Sequence, residues 1–596
     1  METRKNWFTY IYLTIFSICI SYALFSGILN IGSSQEYPFL WYGGVIIAMG
    51  TLGLVVYALA LIANRLKLNR LQLQNKSISK IIESIIVISV LAVGAFLRVW
   101  VIKNIPIEPS SDYDIYYQIA NLLSQGNLLT DGVGYCDYIS QFPHVIGYSY
   151  ILSAVFGIFG VSVPVGLYFN LVVSLVSIFL AYRIARLISG KAGGYIALVL
   201  AAFWPSQILY INHMASEPVF TCMALFSIWL AVYLFKNPFG NGRLYFCLVL
   251  YIALGVSLAM GAAIRPMSII LLIAIVICFL PSKIKLKEDK ENVGVIKKGI
   301  SKGWVCVLVI LIGYFLCSQI ISGAITRTID RELPGTTESF GYNLLVGVNI
   351  DTKGTWNEED SNLRNDKFLE TDSAAEAHKA ARDEAFKRIK ENPIGIANLA
   401  FEKYALLWNN DDYGASWNLL FLEQQDNLTA DRKTLLSNSI MWNNLYYLLC
   451  LFLSLVAGIS LWFRKRFGPE HILILFFIGT AILHMVLESQ NRYHYNILPI
   501  FSILAAYGCV ELFRYYLGKT NTYNENNSIS EQNIVFSTEN EVTATLEQQQ
   551  FSAQERSQEK NNMFDMLAAI KEGHVIVTVS EAYTKNTEDK DINMNT

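Results

Sequence analysis

Long apolar runs recur along the chain, and they limit its possible folds more than any other feature. A helix needs about 20 apolar residues to cross the hydrocarbon core of a bilayer, where only helices and closed barrels satisfy their backbone polar groups. Only 16% of the residues are charged, whereas about 25% is usual in soluble domains. The sequence therefore predicts an all-α polytopic membrane protein with about twelve transmembrane helices. The predicted spans are 7–30, 40–63, 81–102, 164–187, 193–211, 217–236, 244–262, 266–281, 303–323, 441–463, 469–487 and 494–515.

The segment FPHVIGYSYILSAVFGIFG, residues 142–160, is an apolar run. Its length alone does not decide whether it crosses the membrane. Short cytoplasmic loops are rich in Lys and Arg, and the linker after the second run carries five of them with no acid before Glu83. If 142–160 stays on one side, this linker and the later basic clusters all face the cytoplasm. The sequence therefore predicts an interfacial or re-entrant helix at 142–160 and both termini in the cytoplasm. The basic residues that support this topology are Arg65, Lys67, Arg70, Lys76, Lys80, Arg183, Arg186, Lys191, Lys236, Arg243, the lysines of 283–302, Arg464, Lys465 and Arg466.

Changes in composition divide the chain into five parts. A polar region contains a charged helical pattern that ends before Pro393, which predicts an extracytoplasmic domain of mixed, mainly helical structure. The last residues are rich in Asn, Gln, Glu and Ser, which is the composition of a disordered tail. The predicted parts are two helices and a basic linker at 1–80, a transmembrane core at 81–323 with a first external loop at 103–163, the extracytoplasmic domain at 324–440, C-terminal spans at 441–518 and a cytoplasmic tail at 519–596.

The stretch SDYDIYYQIANLLSQG lies directly outside the third predicted span and carries two carboxylates, Asp112 and Asp114. The helical spacing of its apolar residues makes Asp112 a natural helix N-cap. The functional alternative is a general base, which takes a proton from an acceptor hydroxyl as that hydroxyl attacks a sugar carbon. A phosphate leaving group would need positive charge, and Arg98, Arg265 and Arg492 lie at predicted external span ends. Structural ion pairing at the helix rim would also explain these residues.

Six pieces of the sequence, in order over about 80–515, resemble polytopic glycosyltransferases of the GT-C class. The resemblance is to the group of protein mannosyltransferases and aminoarabinose transferases. The first piece is similar to the family's first external loop, the second to a juxtamembrane helix, and the others to span ends and to external segments of bacterial members. The pieces are SDYDIYYQIANLLSQG; FPHVIGYSYILSAVFGIFG; GGYIALVLAAFWPSQILYINHMASEPVF; AIRPMSIILL; YNLLVGVNIDTKGTWNEED with IKENPIGIANLAFEKYALLW; and ESQNRYHYNILPIFSILAAYG.

The resemblance implies a GT-C-like core that transfers one sugar, with inversion, from a polyprenyl-phosphate carrier to a lipid, glycan or protein. The site would face the extracytoplasmic side of the cell membrane. The resemblance makes Asp112 the leading base candidate and Asp114 the alternative, because the family often has Asp-Glu where Asp112 and Tyr113 stand here. The other implied residues also have structural explanations: a snorkelling lysine, a proline-led helix start, an interfacial tyrosine belt and a hydrogen-bonded histidine. The implied donor-phosphate contacts are Arg265, Arg492, Arg98 and Lys403, and the implied acceptor or loop contacts are Glu217, Tyr116, Tyr117 and His144.

The sequence gives little support for a cofactor or for nucleic acid. It contains no CxxC motif or Cys/His cluster, so neither a zinc site nor a disulfide framework is predicted. A divalent ion at Asp112 and Asp114 stays open, because two carboxylates without further clustered ligands do not establish a site. The absence of a basic stripe argues against nucleic-acid binding.

Two other classes of membrane protein fit part of the pattern. A transporter or flippase of lipid-linked glycans would also need many spans, but it would place functional charges on both faces and within the membrane. The predicted spans carry acidic residues only near their ends. A non-catalytic protein that binds prenyl phosphate is the third alternative. The glycosyltransferase hypothesis requires Asp112, Arg265 and Arg492 to face one pocket.

Overall fold

The computed structural model describes residues 3–4, 7–33, 38–65, 76–237, 244–281, 303–335, 339–464 and 466–517. The predicted disordered tail at 519–596 and the basic loop at 283–302 lie outside the described residues. Within them, the only strands are a short antiparallel pair between β1 (Thr3–Arg4) and β2 (Arg466–Phe467).

The described chain is otherwise helical, with two 3-10 segments at Tyr210–Asn212 and Asn491–Ile497. The helices are α1 (Trp7–Ser33), α2 (Pro38–Arg65), α3 (Lys76–Asn104), α4 (Asp112–Gln125), α5 (Leu128–Asp131), α6 (Val133–Gln141), α7 (Val145–Phe159), α8 (Val163–Ala202), α9 (Pro205–Leu209), α10 (Glu217–Lys236), α11 (Leu244–Ile264), α12 (Ser268–Phe279), α13 (Gly303–Ile329), α14 (Gly341–Gly347), α15 (Glu358–Thr371), α16 (Ala374–Glu391), α17 (Pro393–Trp408), α18 (Tyr413–Gln424), α19 (Ala430–Phe463), α20 (His471–Val486) and α21 (498–517).

Nine helical segments of the described residues are long and apolar enough to cross a bilayer. They are α1, α2, α3, α8, α10, α11, α13, α19 and the segment Asn491–Leu517, which contains α21. Three shorter apolar helices, α7, α12 and α20, accompany them. The prediction of an all-helical, multi-pass membrane protein is therefore confirmed.

Helix α8 consists of two antiparallel helical arms that form a hairpin at Gly190. Gly190 interrupts it with φ 86° and ψ −171°, a conformation that glycine adopts without steric cost. The rings of Tyr182 and Tyr195 lie 6.0 Å apart, whereas a continuous helix would separate these positions by about 20 Å along its axis. The runs predicted at 164–187 and 193–211 are thus separate, but the second arm ends at Ala202, and α9 and the 3-10 segment Tyr210–Asn212 follow it.

Polar side chains at one end of the membrane helices contact one another. The Tyr182 hydroxyl donates a hydrogen bond to the Glu83 carboxylate at 2.6 Å. Arg186 forms an ion pair with the same carboxylate, and the Lys191 ammonium lies 3.6 Å from it. The Lys236 ammonium donates to the carbonyl oxygen of Leu187. Several of the basic residues used to predict the topology therefore lie at the same end, and the orientation of that end in the membrane stays a prediction.

Helices α16 and α17, which lie between α13 and α19 in the sequence, are each capped at the N-terminus by a side chain. The Ser373 hydroxyl accepts a hydrogen bond from the Glu376 amide at the start of α16, which is one half of a capping box. Helix α16 ends at Glu391, and Asn392 then caps α17 by accepting from the Gly395 amide. The predicted helix end before Pro393 is therefore observed.

Arg364 joins this region to the loop after α6. Its guanidinium lies 4.6 Å from the ring centroids of both Phe142 and Tyr342. Stacking of a guanidinium on aromatic faces is a favourable electrostatic contact. It attaches α14 and α15 to the segment that enters α7.

Candidate functional site

Asp112 and Arg492 form an ion pair at one end of the membrane helices. The Arg492 Nη2 atom lies 2.6 Å from Asp112 Oδ2. Asp112 is the first residue of α4, and Ser111 is its N-cap, without a side-chain capping bond. The prediction that Asp112 caps the helix is therefore wrong by one position. Its carboxylate contacts the arginine instead.

Aromatic side chains enclose the Arg492 guanidinium. It lies 4.9 Å from the ring centroid of Trp417 and 5.5 Å from that of Tyr113. Its Nε donates to the Gln490 side-chain oxygen at 3.1 Å. Arg492 is buried, whereas Asp112 keeps 43% of its side-chain surface exposed. A buried cation thus faces a carboxylate that is exposed to solvent.

A line of hydroxyls leads from Arg492 to Glu217. Arg492 Nη1 donates to the Tyr113 hydroxyl at 2.8 Å, and this hydroxyl lies 2.7 Å from that of Tyr210. The Tyr210 hydroxyl donates to Glu217 Oε1 at 3.4 Å. Burial raises the pKa of Tyr113 to about 12, although the charge of Arg492 opposes the increase. The Tyr113 phenol is therefore protonated at neutral pH and can pass a hydrogen bond onward.

Glu217 and Arg265 form a second ion pair. Arg265 Nη2 lies 2.6 Å from Glu217 Oε1, and the glutamate side chain is completely buried. Arg265 Nε also donates to the Ser216 hydroxyl at 3.2 Å, which in turn donates to the Tyr116 hydroxyl at 3.3 Å. Glu217 is also the first-turn acid of α10, with proline next to it. Its helix-start and pairing roles therefore coexist.

His144 and Glu488 are two further titratable residues that interact electrostatically with the two ion pairs. Burial, together with the nearby charge of Arg265, lowers the pKa of His144 to about 4. Burial raises the pKa of Glu488. The Glu488 Oε1 atom accepts hydrogen bonds from Tyr493 at 3.1 Å and from Gln490 at 3.0 Å. Glu488 belongs to the ESQNRY motif, but sequence reasoning selected only its arginine.

Three of the predicted site residues make other contacts. Asp114 accepts a hydrogen bond from Gln118 within α4 at 3.0 Å. Tyr117 packs its ring 5.6 Å from that of Phe156. Arg98 is completely buried and donates to the carbonyl oxygens of Gly94 and Ala202 at 3.1 and 2.9 Å. The geometry therefore favours Asp112 over Asp114 as the residue in the charged network.

Lys403 is buried rather than solvated, contrary to the snorkelling interpretation. Its ammonium donates to the carbonyl oxygens of Gly347 and Leu487 at 2.7 and 2.8 Å. Burial lowers its pKa to about 8. Lys403 thus connects the two chain segments through hydrogen bonds, and the segment of Leu487 continues directly into Glu488.

A buried polar cluster that sequence reasoning missed supports the segment around Arg492. His494 Nε2 lies 2.9 Å from Asp411 Oδ1. The other carboxylate oxygen of Asp411 accepts from Trp204 Nε1 and from the Ser206 hydroxyl, both at 2.7 Å. The run Asn-Asn-Asp-Asp at 409–412 has the composition of a solvated loop, so composition alone gave no signal for this cluster.

The described residues contain no group of three or more His, Cys, Asp or Glu side chains arranged to hold a metal ion. Asp112 faces a guanidinium, and Asp114 binds an amide on its own helix. These side chains are better suited to an anion that competes with Asp112 for Arg492 than to a cation.

Comparison with known proteins identifies the class first. Residues 143–323 match the family model described as dolichyl-phosphate-mannose-protein mannosyltransferase. The match confirms the predicted resemblance to membrane glycosyltransferases of the GT-C class. The matched part covers less than half of the chain. It includes His144, Glu217 and Arg265, whereas Asp112 and Arg492 lie on either side of it.

Solved structures of an oligosaccharyltransferase from Archaeoglobus fulgidus are similar to the chain. The complex with zinc and sulfate is 13% identical, with a TM-score of 0.40, and the match covers 70% of this chain and 48% of that one. The form tethered to an acceptor peptide is 14% identical, with a TM-score of 0.39 and coverage of 71% and 49%. The complex with an inhibitory peptide and a dolichol-phosphate is 12% identical, with a TM-score of 0.39 and coverage of 71% and 50%. The match thus spans about half the length of these relatives, and no curated protein matches the chain.

Proposed function

We propose that this protein transfers one sugar from a polyprenyl-phosphate donor to an acceptor on the extracytoplasmic face of the membrane, with inversion at the anomeric carbon. The observation that carries the proposal is the pairing of Asp112 with Arg492 in a network that reaches Glu217 and Arg265. The family match over 143–323 supports a lipid-phosphate-linked sugar as the donor. The acceptor is a lipid, a glycan or a protein.

The two arginines bind the donor phosphate in this proposal. A guanidinium presents parallel N–H groups that fit phosphate oxygens, and both side chains lie near the end of the spans. Arg492 uses Nη2 to hold Asp112 at 2.6 Å. A donor phosphate competes for the same atom, so its binding releases the Asp112 carboxylate. The base thus becomes available when the donor is in place.

In the chemical step, the acceptor oxygen or nitrogen attacks the anomeric carbon as the bond from that carbon to the phosphate oxygen breaks. Asp112 takes the proton from the acceptor. Polyprenyl phosphate leaves with the bonding electrons, and the arginines stabilise its charge. A phosphate leaving group needs no general acid, so one carboxylate suffices.

The proposed topology has twelve spans. Ten are the nine long helical segments with α8 counted as two arms, and the short helices α12 and α20 complete the set. Helix α7 is left out of the count because, if it crossed the membrane, the basic residues that follow it, such as Arg183 and Lys191, would face the outside. With both termini in the cytoplasm, a cysteine at Lys191 should react with an impermeant reagent only after the membrane is opened. Labelling of intact cells at that position would exclude the orientation.

The chemistry is tested in cells that express the protein or its variants at equal membrane levels. Mass spectrometry of surface glycans, glycolipids and glycoproteins should show one sugar residue that depends on the wild-type protein. Asp112→Asn should abolish that residue, because an amide cannot take the proton. Asp114→Asn serves as the matched control and should retain it. An unchanged sugar pattern with Asp112→Asn would reject Asp112 as the base.

A further inference from the structure

Helix α17 has one face on the protein and one face that is apolar and exposed. Its inward side chains are Leu399, Lys403, Tyr404, Leu407 and Trp408. On the other side, Ile394 and Phe401 are 76% and 63% exposed. Ala397 is also exposed, and the spacing of these three positions is that of one helical stripe.

Charge is almost absent from the exposed side of α17. The helix contains two charged residues, Glu402 and Lys403, and Lys403 turns inward to two backbone carbonyls. Glu402 is therefore its only exposed charge. A helix in water usually presents a charged outer face, whereas a large exposed apolar patch marks an interaction surface.

The inward face of α17 contacts α1, a candidate membrane span, and α20, one of the shorter apolar helices. The Tyr404 hydroxyl donates to the carbonyl oxygen of Cys19 at 2.7 Å. Cys19 lies near the middle of the 27-residue helix α1, which places it about 20 Å from either end. Trp408 packs its ring 4.9 Å from that of Phe477 in α20. Both aromatic side chains therefore reach the depth of the hydrocarbon core.

The exposed stripe of α17 continues the lipid-facing side of α1. Phe25 and Ile18 of α1 are exposed apolar residues on a candidate membrane span. Tyr22 lies between Ile18 and Phe25 in the sequence, and its ring packs 5.8 Å from the Tyr404 ring. The two helices thus share one apolar surface, and the part on α1 must face acyl chains if α1 crosses the bilayer.

We propose that α17 is embedded in the leaflet on the side of the candidate site, with Ile394, Ala397 and Phe401 among the acyl chains. This differs from the sequence prediction, which assigned all of 324–440 to the extracytoplasmic domain. An amphipathic helix that is embedded in one leaflet gains the free energy of apolar burial without crossing the membrane.

The embedding of α17 also determines the depth of the candidate site relative to the membrane. Immediately after Trp408, the chain reaches Asp411 and Asp412, which bind His494 and Asn491. These two residues flank Arg492 in the sequence. The lipid contact of α17 thereby holds the Arg492 segment at the level of the leaflet, where the phosphate of a prenyl carrier lies.

Fluorescence quenching in vesicles tests the location of α17 without any assay of sugar transfer. The full-length protein carries an encoded azido-phenylalanine at position 401, coupled to an environment-sensitive dye and reconstituted in phosphatidylcholine vesicles. The same dye at position 369 is the control, because Leu369 on α15 is 80% exposed and lies outside the apolar stripe. A dye at position 25 on α1 marks direct contact with lipid.

Lipids brominated in their acyl chains should quench the dye at 401 several-fold more than at 369, and to a degree similar to that at 25. Aqueous iodide should show the opposite order. Iodide quenching at 401 as strong as at 369 would place α17 in water and overturn the proposal. Protection at 401 from both quenchers would show that another protein surface covers the stripe, which overturns it as well. Equal elution volumes and melting temperatures of the labelled proteins establish that they are folded.

Discussion

Asp411 Oδ1 lies 2.9 Å from His494 Nε2, and both side chains are completely buried. The other ring nitrogen, Nδ1, lies 2.7 Å from the carbonyl oxygen of Leu407. A carbonyl can only accept, so Nδ1 carries a hydrogen. The imidazole of His494 is therefore held between the last turn of α17 and the carboxylate of Asp411.

Substitution of Asp411 by asparagine tests the importance of this pair for Arg492. The variant leaves a buried imidazole without its anionic partner, and breaking a buried pair in this way costs about 3–5 kcal/mol. We expect a lower melting temperature and weaker binding of a short-chain prenyl phosphate, because the segment of Arg492 loses its support. Calorimetry in detergent and a binding titration measure the two effects.

The matched control is His471→Gln, which removes another completely buried histidine. His471 contacts Tyr12 of α1 at the end of α20 that begins after β2, away from Arg492. This variant should lower the melting temperature without weakening prenyl-phosphate binding. Equal loss of binding in both variants would mean that Asp411 acts only through overall stability.

Replacement of Arg492 by lysine should separate the geometry of the guanidinium from its charge. Arg492 contacts Asp112, Tyr113 and Gln490 through three different nitrogen atoms, and a lysine ammonium cannot reproduce this planar arrangement. We expect sugar transfer to fall by about 10²-fold, which is the usual cost of one lost transition-state donor. The rate at saturating donor and acceptor measures the loss.

Arg432→Lys is the control for that substitution. Arg432 lies on the same side of the spans, at the start of α19, and donates through Nε to the carbonyl oxygen of Asn104 at 3.0 Å. Its conversion to lysine should leave the rate within a factor of about two, since it is a partly exposed surface contact. A similar loss in both variants would contradict a specific role for Arg492.

The membrane helices could be predicted because lipid imposes a strict rule on the sequence. Each span must satisfy its own backbone and cover it with apolar side chains, so the runs of α1, α3 and α10 are visible in the primary structure. Even the turn within α8 was anticipated, since the polar and glycine-rich stretch near Gly190 separates two apolar runs.

The pairing of charges could not be predicted with the same detail. Asp112 and Arg492 are 380 residues apart, and local periodicity carries no information on contacts at that distance. Sequence reasoning selected both residues because they lie at span ends. It missed Asp411, whose partner Ser206 is 205 residues away, because a polar run between two helices has the composition of an ordinary loop.

The ion pair of Glu217 and Arg265 should show strong energetic coupling. Removing either partner leaves the other charge poorly compensated in a buried site, at a cost of about 3–5 kcal/mol. Removing both leaves a cavity but no isolated charge. We therefore expect Glu217→Ala and Arg265→Ala each to destabilise the protein more than the double variant does. Thermal unfolding of the four proteins completes the double-mutant cycle, and strictly additive losses would show that the pair contributes no coupling.

The low pKa of His144 predicts a loss of stability in acid. Burial and the charge of Arg265 lower this pKa from 6.5 to about 4, so the unfolded chain binds a proton between these values that the folded protein does not. Stability must therefore fall as the pH drops from 6.5 towards 4, with a contribution of at most about 3 kcal/mol from this residue. His144→Gln removes that contribution, so the wild-type protein should lose stability relative to the variant across the same window. Melting temperatures of both proteins between pH 7 and 4 measure the difference, and a constant difference would contradict the assignment of a neutral His144.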